Sequence, residues 1–171
     1  MFRRTGSRRG EGEAIGSLGY LAHGEGDLAR AIDLFRRSAE IVAPLGFTWW
    51  QANMLGAIAE CALDLGRIAE AADSARESLA LATAMGDRQG TVYGLALLAW
   101  AIAEKGDRAR AGRLWGAVEA EEERGPIGQW EHEREKYAAR VLAHGGPELE
   151  RGLEEGRRLS LDAAVAEALA S

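Results

Sequence analysis

The sequence predicts an all-α protein, a right-handed α-solenoid of helical hairpins with a forty-residue period. Three observations carry the prediction. Gly26, Gly66, Gly106 and Gly146 recur at one interval, and the residues after the first three repeat as well: Gly-Asp-Leu-Ala-Arg-Ala from 26, Gly-Arg-Ile-Ala-Glu-Ala from 66 and Gly-Asp-Arg-Ala-Arg-Ala from 106. A second grid, Gly46, Gly86 and Gly125, runs half a period out of phase and divides each unit into two segments. Apolar residues between the glycines fall at helical spacing, and no useful stretch alternates strictly as a strand would. A sequence period of this kind calls for stacked supersecondary units, which present a long concave surface and more often bind than catalyse.

Helices are expected near 13–23, 27–43, 48–65, 68–85, 88–105, 107–124, 127–144, 147–156 and 160–170. Asp27 and Asp107 follow their turn glycines, where a carboxylate accepts free N–H groups and favours the positive end of the helix dipole. Thr48-Trp49-Trp50-Gln51 reads as a capping box with the Thr48 hydroxyl as the cap. Pro44, Pro126 and Pro147 stand where a missing N–H costs little. Leu28, Ala31, Ile32 and Phe35 give the second helix a stripe to bury. Ala31, Ala71 and Ala111 mark close helix crossings, with Phe35, Ala75 and Trp115 filling the gaps between hairpins. The units are 13–46, 47–86 and 87–125, preceded by a flexible basic tail at 1–12. A degenerate unit at 126–171, polar around Pro147-Glu148-Leu149-Glu150-Arg151, serves as the cap.

Net charge is −6, yet Arg3, Arg4, Arg8 and Arg9 place +4 in the first ten residues, leaving −10 on the rest. An acidic body argues against direct nucleic-acid binding, which needs clustered cations, and the arginine run reads as a solvated tail. The single cysteine, Cys61, excludes an internal disulfide and suits a reduced, cytoplasmic setting. No run is long and apolar enough for a membrane span or signal peptide.

The chemistry-bearing residues form no catalytic constellation. His23, His132 and His144 lack a second histidine one helical turn away, so no metal site is expected. The serines include no Gly-x-Ser-x-Gly elbow, Ser38 and Ser78 are forty apart as small packing residues, and Cys61 reads as a small buried hydrophobe. Glu119, Glu121, Glu122 and Glu123 read as an exposed helix end, with attraction of a basic partner as the alternative. The expectation is a protein that is not an enzyme and needs no cofactor.

The repeated residues resemble the tetratricopeptide (TPR) repeat. Leu18 and Gly19 fall on the large and small sites of the first helix, Ala31 on the small site and Phe35 on the aromatic site of the second, followed by Ile58, Ala59, Ala71 and Ala75, then Leu98, Ala99, Ala111 and Trp115. The unit is longer than the usual thirty-four residues. The stretch from Arg110 to Ala120, Tyr137, and Glu155 to Val165 is similar to the C-terminal repeat region of bacterial STAND ATPase regulators with LuxR-type or SARP-type DNA-binding domains. No GxxxxGK[ST] loop is present, so neither ATPase activity nor DNA binding carries over. The resemblance implies a sensor or protein-interaction module, free-standing or part of a larger regulator.

On the tetratricopeptide register, the concave face presents Tyr20, Asn53, Glu60, Tyr93 and Trp100. Aromatic rings with a few polar groups suit a protein or peptide partner; a small effector in an aromatic cavity is the alternative function. Packing between hairpins is the competing reading for Tyr93 and Trp100. If the five line an open groove, Asn53→Ala and Glu60→Ala leave stability nearly unchanged. The glycine-interrupted first helix lacks a polar cap before it, which predicts a homodimer through the N-terminal end of the array.

Overall fold

The computed structural model describes residues 8–170, and among them the chain is helical throughout. The helices are α1 (Arg8–Gly24), α2 (Leu28–Val42), α3 (Thr48–Asp64), α4 (Ile68–Ala84), α5 (Arg88–Glu104), α6 (Arg108–Glu122), α7 (Trp130–Leu142), α8 (Pro147–Gly156) and α9 (Leu161–Leu169), with a 3-10 turn at Ala43–Leu45. From α1 to α6 each helix packs on the next. After that the order changes: α7 rests chiefly on α5, α8 on α6, and α9 against α4, α5 and α6.

The turn glycines set the reversals. Gly26, Gly66, Gly86 and Gly106 have φ of 80°, 71°, 71° and 91°, left-handed values that a side chain would strain. Each N–H returns to the carbonyl three residues back and the next N–H to the one five before it, as in Gly66 to Leu63 (3.0 Å) and Arg67 to Ala62 (2.8 Å). These are helix-ending bonds of the Schellman type. Asp27 and Asp107 then cap α2 and α6 by accepting from Arg30 N and Arg110 N at 3.2 and 3.1 Å. Thr48 does not cap α3. The cap residue is Phe47, with no side-chain bond, and the Thr48 hydroxyl, already inside the first turn, points back to Gly46 O at 3.4 Å.

Helix α1 starts at Arg8, inside the stretch assigned to the tail. Arg8 and Arg9 pair one turn ahead with Glu11 and Glu13 at 3.5 and 3.3 Å, and the Arg9 guanidinium lies 3.7 Å from the Phe47 ring centre. Such pairs give a helix end modest support. The rest of the expected tail, with Arg3 and Arg4, falls outside the described residues.

Ala31, Ala71 and Ala111 are fully buried, as are Phe35, Ala75 and Trp115. Ser38 donates to Gly12 O at 2.6 Å and Ser78 to Ala52 O at 2.8 Å, so donors and acceptors are both forty residues apart. Helix α5 is apolar around its whole circumference and buried continuously from Gly94 to Ala103, as expected of a helix with neighbours on every side. It is enclosed by α3, α4, α6, α7 and α9.

Helices α6 and α8 meet backbone to backbone. Gly112 and Gly116 face Gly152 and Gly156: a methyl group at Gly112 would strike Leu149 O, at Gly116 Leu153 O, at Gly152 Ala109 O and at Gly156 Arg113 O. Two small-xxx-small faces thus allow an approach that any side chain would prevent.

Candidate functional site

Tyr20 projects from α1 with 47% of its surface exposed, its ring edge-on to Phe35 at 4.9 Å. Beside it, Glu60 on α3 completes a hollow of about 60 Å³ that Tyr20, His23, Phe35, Ala57 and Cys61 also line. Asn53, two turns before Glu60, is half-buried, and its amide donates to Trp49 O of its own helix at 2.7 Å. Tyr93 on α5 is half-buried, with Trp130 at 5.1 Å and Tyr137 at 5.8 Å, both edge-on. Trp100 follows the packing alternative and does not line an open concave face: it is only 1% exposed, its indole N–H donates to Glu104 at 3.1 Å, and Tyr137 covers it at 6.3 Å.

The cover is α7. Trp130, Tyr137 and Val141 form a helical stripe, fully buried against α5. From the same helix, Lys136 and the Tyr137 hydroxyl both donate to the Glu60 carboxylate on α3. His23 Nε2 approaches Glu60 from α1 at 3.7 Å, and Arg140 pairs with Asp64 at 3.1 Å while its guanidinium sits 4.9 Å from the Trp100 ring centre. Glu60 is therefore not an open groove carboxylate. It holds a helix more than seventy residues along the chain. Glu60, Tyr93 and Trp100 come together around α7, with Tyr20 beside Glu60, whereas Asn53 stays apart from that cluster. Sequence reasoning missed Trp130, Lys136, Tyr137 and Arg140, although the spacing of Trp130, Arg134, Tyr137 and Val141 already marks one helix face.

Of the acidic run at the end of α6 only Glu123 is exposed. Glu121 is buried and pairs with Arg88 and Arg124, both at 2.7 Å. Arg88 also donates to the carbonyls of Glu121, Gly125 and Pro126 at 2.9, 3.1 and 2.7 Å, satisfying carbonyls that a helix end leaves open. Glu122 accepts from the Trp130 indole at 2.7 Å and pairs with Arg134 at 2.9 Å. Glu119 accepts from Trp115 at 3.1 Å and from Arg157 at 2.8 Å. Three neighbouring carboxylates tie α5, α7 and α8 to one helix end, compensating for the unfavourable dipole there. A second hollow, of about 250 Å³, opens beside them between Glu122, Ile127, Trp130 and Arg134.

Burial, reinforced by the Glu60 and Asp64 charges, pushes the Cys61 thiol up to about 12, which keeps it an unreactive hydrophobe. Burial first, then the Glu60 charge and its hydrogen bond, hold the Tyr137 phenol neutral far above its usual range. Among the described residues no group of three or more His, Cys, Asp or Glu is placed to hold a metal ion, and no helix is long and apolar enough to cross a membrane. The acids and rings of the site take cations carried on an apolar body, here Lys136 and Arg140 of α7. Comparison with protein-family models, curated proteins and solved structures finds no match to this chain.

Proposed function

We propose that this chain is a non-enzymatic, TPR-like α-solenoid that binds a protein or peptide across the face formed by α1, α3 and α5, and that it serves as a regulatory or sensor arm in a bacterial, cytoplasmic signalling or transcription-regulator system. The observation that carries the reading is the run of Tyr20, Glu60 and Tyr93 from α1, α3 and α5, in which Tyr20 is open at the surface beside Glu60 while α7 covers Glu60 and Tyr93. Support for the forty-residue unit comes from the paired serine bonds and the left-handed turn glycines. The small-effector alternative is disfavoured by size, since hollows of about 60 and 250 Å³ fall below the roughly 300–1,000 Å³ of drug-sized ligand sites.

Phage-displayed helical peptides selected on the protein test the reading. Enrichment of aromatic and basic sequences that is lost with Tyr20→Ala supports it. Failure to enrich, or enrichment indifferent to Tyr20, removes it.

Self-association through the first hairpin belongs to the same proposal. Leu18 and Leu21 are 49% and 64% exposed, while Ile58 and Cys61, forty residues on, and Leu98 and Ala101, eighty on, are buried. Those later positions take the preceding hairpin, and α1 leaves the matching surface open to a second copy.

A further inference from the structure

We infer that the surface beneath α7 is a docking site for a helix carrying aromatic and basic residues, and that α7 is its built-in occupant, exchanged when such a helix arrives from another molecule. The inference rests on the binding reading above and names the class of partner.

Charge complementarity defines the occupant. The receiving surface places Glu60 and Asp64 on α3, Glu104 on α5 and Glu122 on α6; α7 and its following turn answer with Lys136 against Glu60, Arg140 against Asp64 at 3.1 Å, His144 against Glu104 at 3.5 Å, and Arg134 against Glu122 at 2.9 Å. Between the charges, Trp130 and Tyr137 enter a bed of Tyr93, Trp100 and Trp115. Aromatic anchors ringed by charge pairs are the usual anatomy of a helix seated in a groove.

The attachment of α7 is also that of a ligand on a leash. Helices α1 to α6 pack on their neighbours in sequence, whereas α7 lies chiefly on α5 and only lightly on α6. Both of its connections contain left-handed glycines, Gly125 (φ 133°) and Gly128 (62°) before it, Gly145 (52°) and Gly146 (93°) after it. Such a tether gives α7 an effective concentration in the millimolar range, so an incoming helix must bind better or be locally abundant. Exchange replaces one set of ring and charge contacts by another of the same kind, and the cost falls on the opening step. The measured affinity is therefore the intrinsic one reduced by the fraction of molecules in which α7 is undocked.

The test uses the full chain and a fluorescein-labelled synthetic peptide of residues 127–144. Lys136→Glu sets a carboxylate against Glu60 and weakens the seat of α7 without altering the receiving surface. The peptide should bind this variant at least tenfold more tightly than it binds the parent chain, and a peptide with alanine at both aromatic positions should lose binding to either. Equal affinity for the two chains, or indifference to the aromatic residues, overturns the inference. Should Lys136→Glu fail to fold, amide exchange in the parent chain decides: α7 must exchange well ahead of α5, and equal protection overturns the exchange. Peptide failure alongside Tyr20-dependent phage ligands would sink the α7 inference and leave the binding reading standing.

Discussion

Helices α1 and α5 occupy the same place in the glycine grid, eighty residues apart, yet they are held by opposite means. Helix α5 is apolar around its circumference, buried from Gly94 to Ala103 and enclosed by five others. Helix α1 is buried only along Gly12, Ile15, Gly16, Gly19 and Ala22, with the Phe35 ring against Gly19 and Met54, Ser38 and Trp50 around Gly16. Each helical glycine costs about 1 kcal/mol relative to alanine, so α1 gives up intrinsic helicity to bring its backbone close. Identical register does not impose identical energetics; the number of neighbours does.

The largest expected effect is Trp100→Ala in α5, a loss of roughly 3–5 kcal/mol for a buried aromatic, against no more than about 0.5 kcal/mol for Leu18→Ala on exposed α1. Urea unfolding midpoints measure both, and comparable losses would break the contrast. Next comes Glu60→Ala, which strands Lys136 and the buried Tyr137 hydroxyl and should cost about 1–3 kcal/mol. Asn53→Ala should change little, because its partner is a carbonyl of its own helix. Equal, negligible effects would return Glu60 to the open groove in which the sequence placed it.

Alkaline pH sharpens the comparison from the other side. Burial raises Cys61 from its ordinary 9.0 to about 12, and also raises Tyr93 and Tyr137. A folded value above the unfolded one means that the stabilisation is complete below about pH 9 and is lost as pH climbs toward 12. Circular dichroism against pH should show that decline, with a shallower slope in Cys61→Ser. The smallest effect on stability is expected from Leu18→Glu with Leu21→Glu. These changes should convert a micromolar dimer to monomer in sedimentation, and a parent chain that is monomeric at every concentration would remove the self-association proposal.

Much of the helical framework was legible because its signals are local. A left-handed glycine, an aspartate after it and an alanine about one turn later act within a few residues, and Gly26-Asp27, Gly106-Asp107 and the buried Ala31, Ala71 and Ala111 follow them. The start of α1 was obscured by its glycines, whose purpose emerges only when Phe35 and Met54 are seen against them. The site was half legible. Tyr20, Glu60, Tyr93 and Trp100 do cluster, but the helix that unites the last three comes from 130–142, a polar-looking segment whose partners are dozens of residues away. The acidic run misled for the same reason: Arg88, Trp130 and Arg157 are remote in sequence.

The glycine contact between α6 and α8 has a thermal consequence. Where Gly112 and Gly116 meet Gly152 and Gly156, the surface is joined without side chains, so it releases little apolar area when it parts, adds little to the heat capacity of unfolding and freezes no rotamers on forming. The glycine part of the α6–α8 seam should therefore vary only weakly with temperature, while the hydrophobic enclosure of α5 weakens on cooling. Cold and heat then loosen the molecule from different places: α5 and its surroundings yield disproportionately in the cold, and the glycine seam is the last of the two to notice.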